Sequence, residues 1–126
     1  MKPVLLCANV PPDRMMRLSL LSSSLGIQVK CVPEKDWGQP IGALCGVKAP
    51  MQNPPKAALG GEIMVMAHFP DALIDALLGE IRKSGLKPIR CKAVLTRHNQ
   101  DWSLGQLYPA LSREAALMEA AGKGTK

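Results

Sequence analysis

The order strand, helix, strand occurs twice in this 126-residue chain, and that recurrence restricts the fold more than any single motif does. "PVLLCANV" is a short apolar run bounded by prolines, so it reads as a strand. "PPDRMMRLSLLSSSLG" follows, with Pro12 and Asp13 at a helix start, a stripe at Met15, Leu18, Leu21 and Leu25, and a closing Gly26. "IQVKCV" then alternates apolar with polar, as a strand with one wet face does. The same order returns in "EIMVMAHF", "PDALIDALLGEIRKSG" and "LKPIRCKAVLT", with Leu73, Ile74, Leu77, Leu78 and Ile81 forming the second helix stripe.

Setting Gly26 against Gly85 places Val4, Leu6, Ala8 and Val10 opposite Ile63, Val65, Ala67 and Phe69, and Asn9 opposite His68. With a slip of one residue, "VKC" at Val29 to Cys31 falls on "IRC" at Ile89 to Cys91. Each second strand leads to an Asp-Trp pair, "DWGQPIGAL" and "DWSLGQLYPAL", in which Trp37 and Trp102 are the expected hydrophobic plugs. The chain is thus expected to be one domain, residues 1–126, with an internal repeat at 3–45 and 62–121. Leu104, Leu107, Leu111, Ala115 and Met118 predict a last amphipathic helix that begins near Tyr108 or kinks at Pro109. Prolines and Gly60-Gly61 break up the corresponding first-half segment, predicting a flexible connection at 46–61, and 122–126 reads as a frayed tail.

Two such units pack in either of two common ways. The preferred reading is an α+β fold, a ferredoxin-like two-layer sandwich with strand order 4-1-3-2, both repeat helices on one face, and an added C-terminal helix. The alternative is a small doubly wound α/β sheet, all parallel. Gln28, Lys30, Arg90 and Lys92 fall on one side of the edge strands, which favours a solvated sheet face. Leu5, Cys7, Met64 and Met66 share that face, so the C-terminal helix, a second subunit or a ligand must cover them.

"KAVLTRHNQDW", from Lys92 to Trp102, preceded by "MVMAHFPDALIDALLGEIRKSGLKPIRC", resembles the bacterial Domain of Unknown Function three-seven-eight-three family. "GQPIG" at Gly38 to Gly42 is similar to an upstream segment of many members, while Pro70 and Pro109 depart from the pattern. The resemblance is closest over Ile63 to Leu111. It supports the architecture and implies no activity.

The formal net charge is +6, the apolar fraction 47% and the charged fraction 21%, as in a soluble globular protein. No apolar run approaches the roughly 20 residues that span a bilayer, so no membrane partner is expected. The first residues do not resemble a cleavable signal, and the cytoplasm is the expected location. Cys7, Cys31, Cys45 and Cys91 lie far apart with only two histidines, so they read as buried free thiols, with no metal and no cofactor expected.

The functional reading is a non-catalytic binding or regulatory module for a small, in one version anionic, ligand or for a partner protein. Lys92, Thr96 and Asn99 could converge at a strand end to hold an anion, beside Trp102. Against this, Thr96 and Asn99 are also ordinary turn formers. Asn9 and His68, the lone hydrophilic residues at the ends of the two central strands, are the other ligand candidates. A nucleic-acid accessory role is the alternative, through Arg82, Lys83, Lys87, Arg90 and Arg97, in a stretch without acidic residues from Ile81 to Gln100. The shortage of aromatics, two Trp, one Tyr and one Phe, weighs against base stacking. An enzyme is the third reading, because a Cys7–His68 nucleophilic pair has no carboxylate to complete it. A homo-oligomer formed through the open sheet face is a further expectation.

Overall fold

The computed structural model describes residues 2–124. In chain order the elements are β1 (Val4–Ala8), α1 (Pro12–Ser24), β2 (Gln28–Cys31), a 3-10 turn (Glu34–Asp36), α2 (Ile41–Leu44), β3 (Ile63–Ala67), α3 (Asp71–Lys83), β4 (Cys91–Val94) and α4 (Leu104–Gly124). The class is mixed α and β, with one four-stranded sheet in the order β2-β1-β3-β4. β1 pairs parallel with β2, antiparallel with β3, and β3 pairs parallel with β4.

This order corrects the expected 4-1-3-2, in which a strand would separate β1 from β2. It also corrects the all-parallel alternative, because the central pair runs antiparallel. Every residue of β3, and all of β1 after Val4, is buried, which is how a strand covered on both faces reads. Leu5, Cys7, Met64 and Met66 pack with Leu18 of α1 and with Leu77 and Ile81 of α3. Leu6, Ala8, Ile63, Val65 and Ala67 pack on the opposite side with Ile41 and Leu44 of α2 and Leu104 and Leu107 of α4. Neither face of the central strands is left open for a second subunit.

The expectation of a single wet face rested on a register one residue out. Leu5 pairs with Val29 and Leu6 with Lys30, whereas Met64 pairs with Lys92. Lys30 and Lys92 therefore stand on opposite faces, and each edge strand is solvated on its own side.

Several features recur at fixed spacing. β1 and β3 have five residues each and α1 and α3 thirteen. Val4 and Ile63, Pro12 and Asp71, and Gly26 and Gly85 are each 59 residues apart. Asn9 (φ 58°) and His68 (φ 62°), at that same spacing, are the non-glycine residues with left-handed backbone among those described. Such a conformation is uncommon outside glycine, with Asn and His among its more frequent exceptions. Each turns the chain sharply from a central strand into a helix that a proline precedes.

After the first helices the spacing becomes 63. It relates the first residues of β2 and β4, Gln28 and Cys91, and those of α2 and α4, Ile41 and Leu104. Pro40 and Ser103, just ahead of these two helices, face each other in an isolated bridge. Gly42 N donates to Gln100 O (2.8 Å) and Gly105 N to Trp37 O (3.4 Å), two bonds exchanged between positions 63 apart. At this spacing Trp37 falls opposite Gln100, and Trp102 opposite Gln39, so the two Asp-Trp pairs are out of register with it. Trp37 is half-buried against the core and its Nε1 donates to Val32 O (3.0 Å). Trp102 is 44% exposed and is not the expected plug.

α4 begins at Leu104 rather than near Tyr108, because Ser103 caps it reciprocally with Gln106. Ser103 Oγ accepts from Gln106 N (3.2 Å) and Gln106 Oε1 accepts from Ser103 N (2.9 Å). The helix carries Pro109 inside it and continues to Gly124, into the segment expected to fray, while Thr125 and Lys126 lie outside the described residues. The 46–61 connection has no helix or strand but is fastened at several points. Gln39 exchanges two 2.8 Å bonds with Met51, and Asn9 Nδ2 donates to Leu59 O and Gly61 O at 3.2 Å.

Within α3, a Cβ at Gly79 would meet nothing within 4 Å. Gly79→Ala is therefore expected to stabilise the protein by about 1 kcal/mol, the propensity difference in a helix interior. Urea unfolding reads this directly, and a lower midpoint would refute it.

Candidate functional site

A slot lies where the last turn of α3 meets the approach to β4. Met64, Leu78, Ile81, Pro88 and Ile89 line its apolar part, Arg82 and Lys92 are its two cations, and its volume is about 250 Å³. Its outer wall exists because Gly85 precedes β4 by six residues whereas Gly26 precedes β2 by two. The longer link carries Pro88 and Ile89, with Ile89 buried. α1 holds that link in place: Arg14 Nη2 donates to Lys87 O (2.8 Å) and to Glu62 Oε1 (2.8 Å), and Arg17 Nη2 donates to Ser84 O (2.9 Å).

Both cations are exposed, but they are held differently. Lys92 sits in β4 and its Nζ donates to Ile89 O (3.3 Å), which keeps it over the slot. Arg82, in the last turn of α3, makes no ion pair among the described residues. No carboxylate lines the slot. A group entering it would meet apolar surface and two positive charges.

A larger cavity, about 450 Å³, lies between Gly38, Pro40, Lys56, Asp101, Ser103 and Gln106. Asp101 is engaged with Lys48 and Ser103 with Gln106, which leaves Lys56 as a single cation with no carboxylate partner among the described residues. The slot is smaller but has uncommitted charge beside apolar surface, which is what orients a ligand.

The sequence-derived candidates are scattered. Lys92 lines the slot, but Thr96 lies four residues further along the chain, about 13 Å away if extended. Thr96 and Asn99 close a turn on themselves: Asn99 Oδ1 accepts from Thr96 N (2.8 Å), Thr96 Oγ1 from Asn99 N (3.2 Å), and Asn99 Nδ2 donates to Val94 O (2.9 Å). Their polar groups serve the backbone, so the expected convergence with Lys92 is not formed, and exposed Trp102 lies beyond that turn.

Asn9 and His68 end antiparallel neighbours and so stand at opposite ends of the sheet. Cys7 pairs with Met64, four residues before His68, again about 13 Å along an extended strand. The Cys7–His68 pair is therefore not assembled. His68 Nε2 is buried without a hydrogen-bond partner. Burial pushes the Cys7 thiol up to about 12, with Cys31 and Glu62 adding to the effect. Burial likewise pushes Cys45 up to about 11, against the pull of Lys30. Cys31 is exposed, which corrects the expectation of four buried thiols.

Of the basic stretch, Arg90 is committed to α4: it bonds Glu119 at 3.1 and 3.2 Å and Ser112 Oγ at 3.1 Å. Lys83 lies 3.9 Å from Glu80. Lys87 is exposed on the slot link, and Arg97 is exposed in the turn after β4. Sequence reasoning placed Arg82 among the nucleic-acid candidates and missed its companions Leu78, Ile81, Pro88 and Ile89. The available signal was the four extra residues between Gly85 and the strand, rich in Pro and basic side chains.

Known families give one match. A family model described as Domain of unknown function (DUF3783) covers residues 62–118. Over that segment the chain is similar to this family. The DUF3783 segment spans β3, α3, β4 and most of α4, and so contains every residue that lines the slot. No curated protein and no solved structure matches the chain. Among the described residues no helix is long and apolar enough to cross a membrane, and no group of three His, Cys, Asp or Glu could hold a metal ion.

Proposed function

We propose that the protein is a non-catalytic binding module for a small anion with an apolar body, held in the Arg82–Lys92 slot. We infer further that the module is a single domain made of two copies of one strand-helix-strand-helix unit, of which the second copy carries the site. The fixed spacings of 59 and 63 residues and the exchanged Gly42 and Gly105 bonds support the duplication. The observation that carries the functional reading is where the second copy departs from the first. Arg82 and Lys92 stand where the first copy has Ser23 and Val29, and the four added residues build the slot wall. A merely structural edge needs neither a wall nor two cations facing it.

Octanoate is a suitable probe, having a carboxylate on a short apolar chain. In amide NMR it is expected to shift Met64, Leu78, Ile81 and Ile89 selectively. A charge-assisted hydrogen bond contributes about 1.5–3 kcal/mol, so Arg82→Gln and Lys92→Gln are each expected to weaken binding at least tenfold, and Lys83→Gln to leave it unchanged. Absence of saturable shifts, or equal affinity in all three variants, would remove the proposal.

A nucleic-acid role along the same edge is the second reading, supported by the exposed Arg82, Lys87, Lys92 and Arg97. It requires binding that weakens steeply with salt and draws on all four cations together. Octanoate binding confined to Arg82 and Lys92 distinguishes the two.

A further inference from the structure

Cys7 and Cys31 are register partners on the neighbouring strands β1 and β2. Partners on adjacent strands project from the same face with Cα atoms about 4.8 Å apart, inside the roughly 4.4–6.8 Å that a disulfide spans. Their access to solvent is opposite. Cys31 is exposed at the end of the edge strand, whereas Cys7 has no exposed surface. Cys45 and Cys91 belong to the core cluster on the other side of the sheet, so the sheet itself separates them from Cys7.

We propose that Cys31 and Cys7 form a peroxide-sensitive modification site, in which Cys31 meets the oxidant and Cys7 resolves the product into an intramolecular disulfide. The thiolate of Cys31 attacks one oxygen of hydrogen peroxide and the O–O bond breaks. This leaves a sulfenic acid on Cys31, and the departing hydroxide takes up the thiol proton as water. The sulfur of Cys7 then attacks the Cys31 sulfur; the S–S bond forms, the S–O bond breaks, and the hydroxyl leaves as water with the proton of Cys7. Two thiols lose two electrons in all, and one peroxide becomes two waters.

The asymmetry of access sets the order of events. Of the four cysteines only Cys31 is exposed, and so open to a solvent-borne oxidant, and only Cys7 is its register partner. Burial holds Cys7 protonated, so the second step is the slower and the sulfenic acid accumulates before it is consumed. Once formed, the bond ties the edge strand β2 to the central strand β1 and restrains the chain between them.

The test is to treat the full chain with hydrogen peroxide and to sample it over time with dimedone, which traps sulfenic acid, before peptide mass analysis. The expected course is an early adduct on Cys31 alone, followed by loss of two hydrogens from the intact chain and a linked Cys7–Cys31 peptide. Oxidised protein should melt several degrees higher, and dithiothreitol should reverse both changes. In Cys7→Ala the Cys31 adduct should form at the same rate and then persist, passing to sulfinic acid without a disulfide. Cys31→Ser, at an exposed position, should abolish the reaction. Sulfinic acid on Cys31 of the wild-type chain, with Cys7 still open to alkylation after denaturation, would overturn the proposal; so would a disulfide linking two chains through Cys31.

Discussion

Gly38→Ala is expected to lower the melting temperature by about 10 °C, corresponding to roughly 3 kcal/mol for overpacking in a chain of this length. A Cβ at position 38 would lie 1.8 Å from the carbonyl oxygen of Pro55 and 2.9 Å from its carbon. Both atoms are backbone, so no side chain can swing aside. The neighbouring chain is itself fastened, by the Gln39–Met51 pair on one side and by Asn9 to Leu59 and Gly61 on the other. The added methyl must therefore lift the connection from the body of the protein. Thermal melting and amide hydrogen exchange across 51–61 measure the two parts of this effect. A shift below about 1 °C would mean that the connection is not seated against Gly38.

The second large effect tests the sheet itself. Leu5→Ala and Leu6→Ala are each expected to destabilise by about 2–5 kcal/mol, the range for truncating a fully buried leucine. Neither residue has any exposed surface, although they are adjacent and point to opposite faces. In a sheet with one open face, one of the two substitutions would change stability by no more than about 0.5 kcal/mol. Against a typical total of about 5–15 kcal/mol, the two outcomes are well separated in urea unfolding. A small loss for either leucine would reinstate an open face.

The strands and helices were legible because each has a period and an end signal. The stripes of α1 and α3, the prolines ahead of them and Gly26 and Gly85 behind them announce both helices without tertiary information. The pairing of strands was not legible, since an all-apolar run such as "VLLCA" suits a strand covered on both faces as well as one half-covered. Register failed at β2 for a related reason: the alternation in "IQVKC" marks Gln28 and Lys30 as its wet side, but only the pairing of Leu5 with Val29 and Leu6 with Lys30 decides which residues of β1 share that side. The Asp-Trp match drew on conspicuous tryptophans, whereas the 63-residue spacing of the elements runs through "IGAL" and "LGQL". There the buried Ile41 and Leu44 answer Leu104 and Leu107, and Gly42 answers Gly105. Of the candidate site, Lys92 was legible as a charge on an edge strand. Its relation to Arg82 was not, because it depends on a link that folds back beside α3.

The central pairing also has a bearing on synthesis. Leu6 is partnered by Val65, fifty-nine residues later, so one edge of β1 has no strand beside it until β3 has been made. At about 5–20 residues per second on the ribosome, that interval is roughly 3–12 s. β1, α1 and β2 can associate within it, yet the run from Leu5 to Ala8 leaves an apolar strand edge bare during that time. Such an edge is where a nascent chain is open to pairing with a neighbouring one. The hazard ends only when the second strand-helix-strand segment emerges, which makes the order of translation part of how this chain reaches its fold.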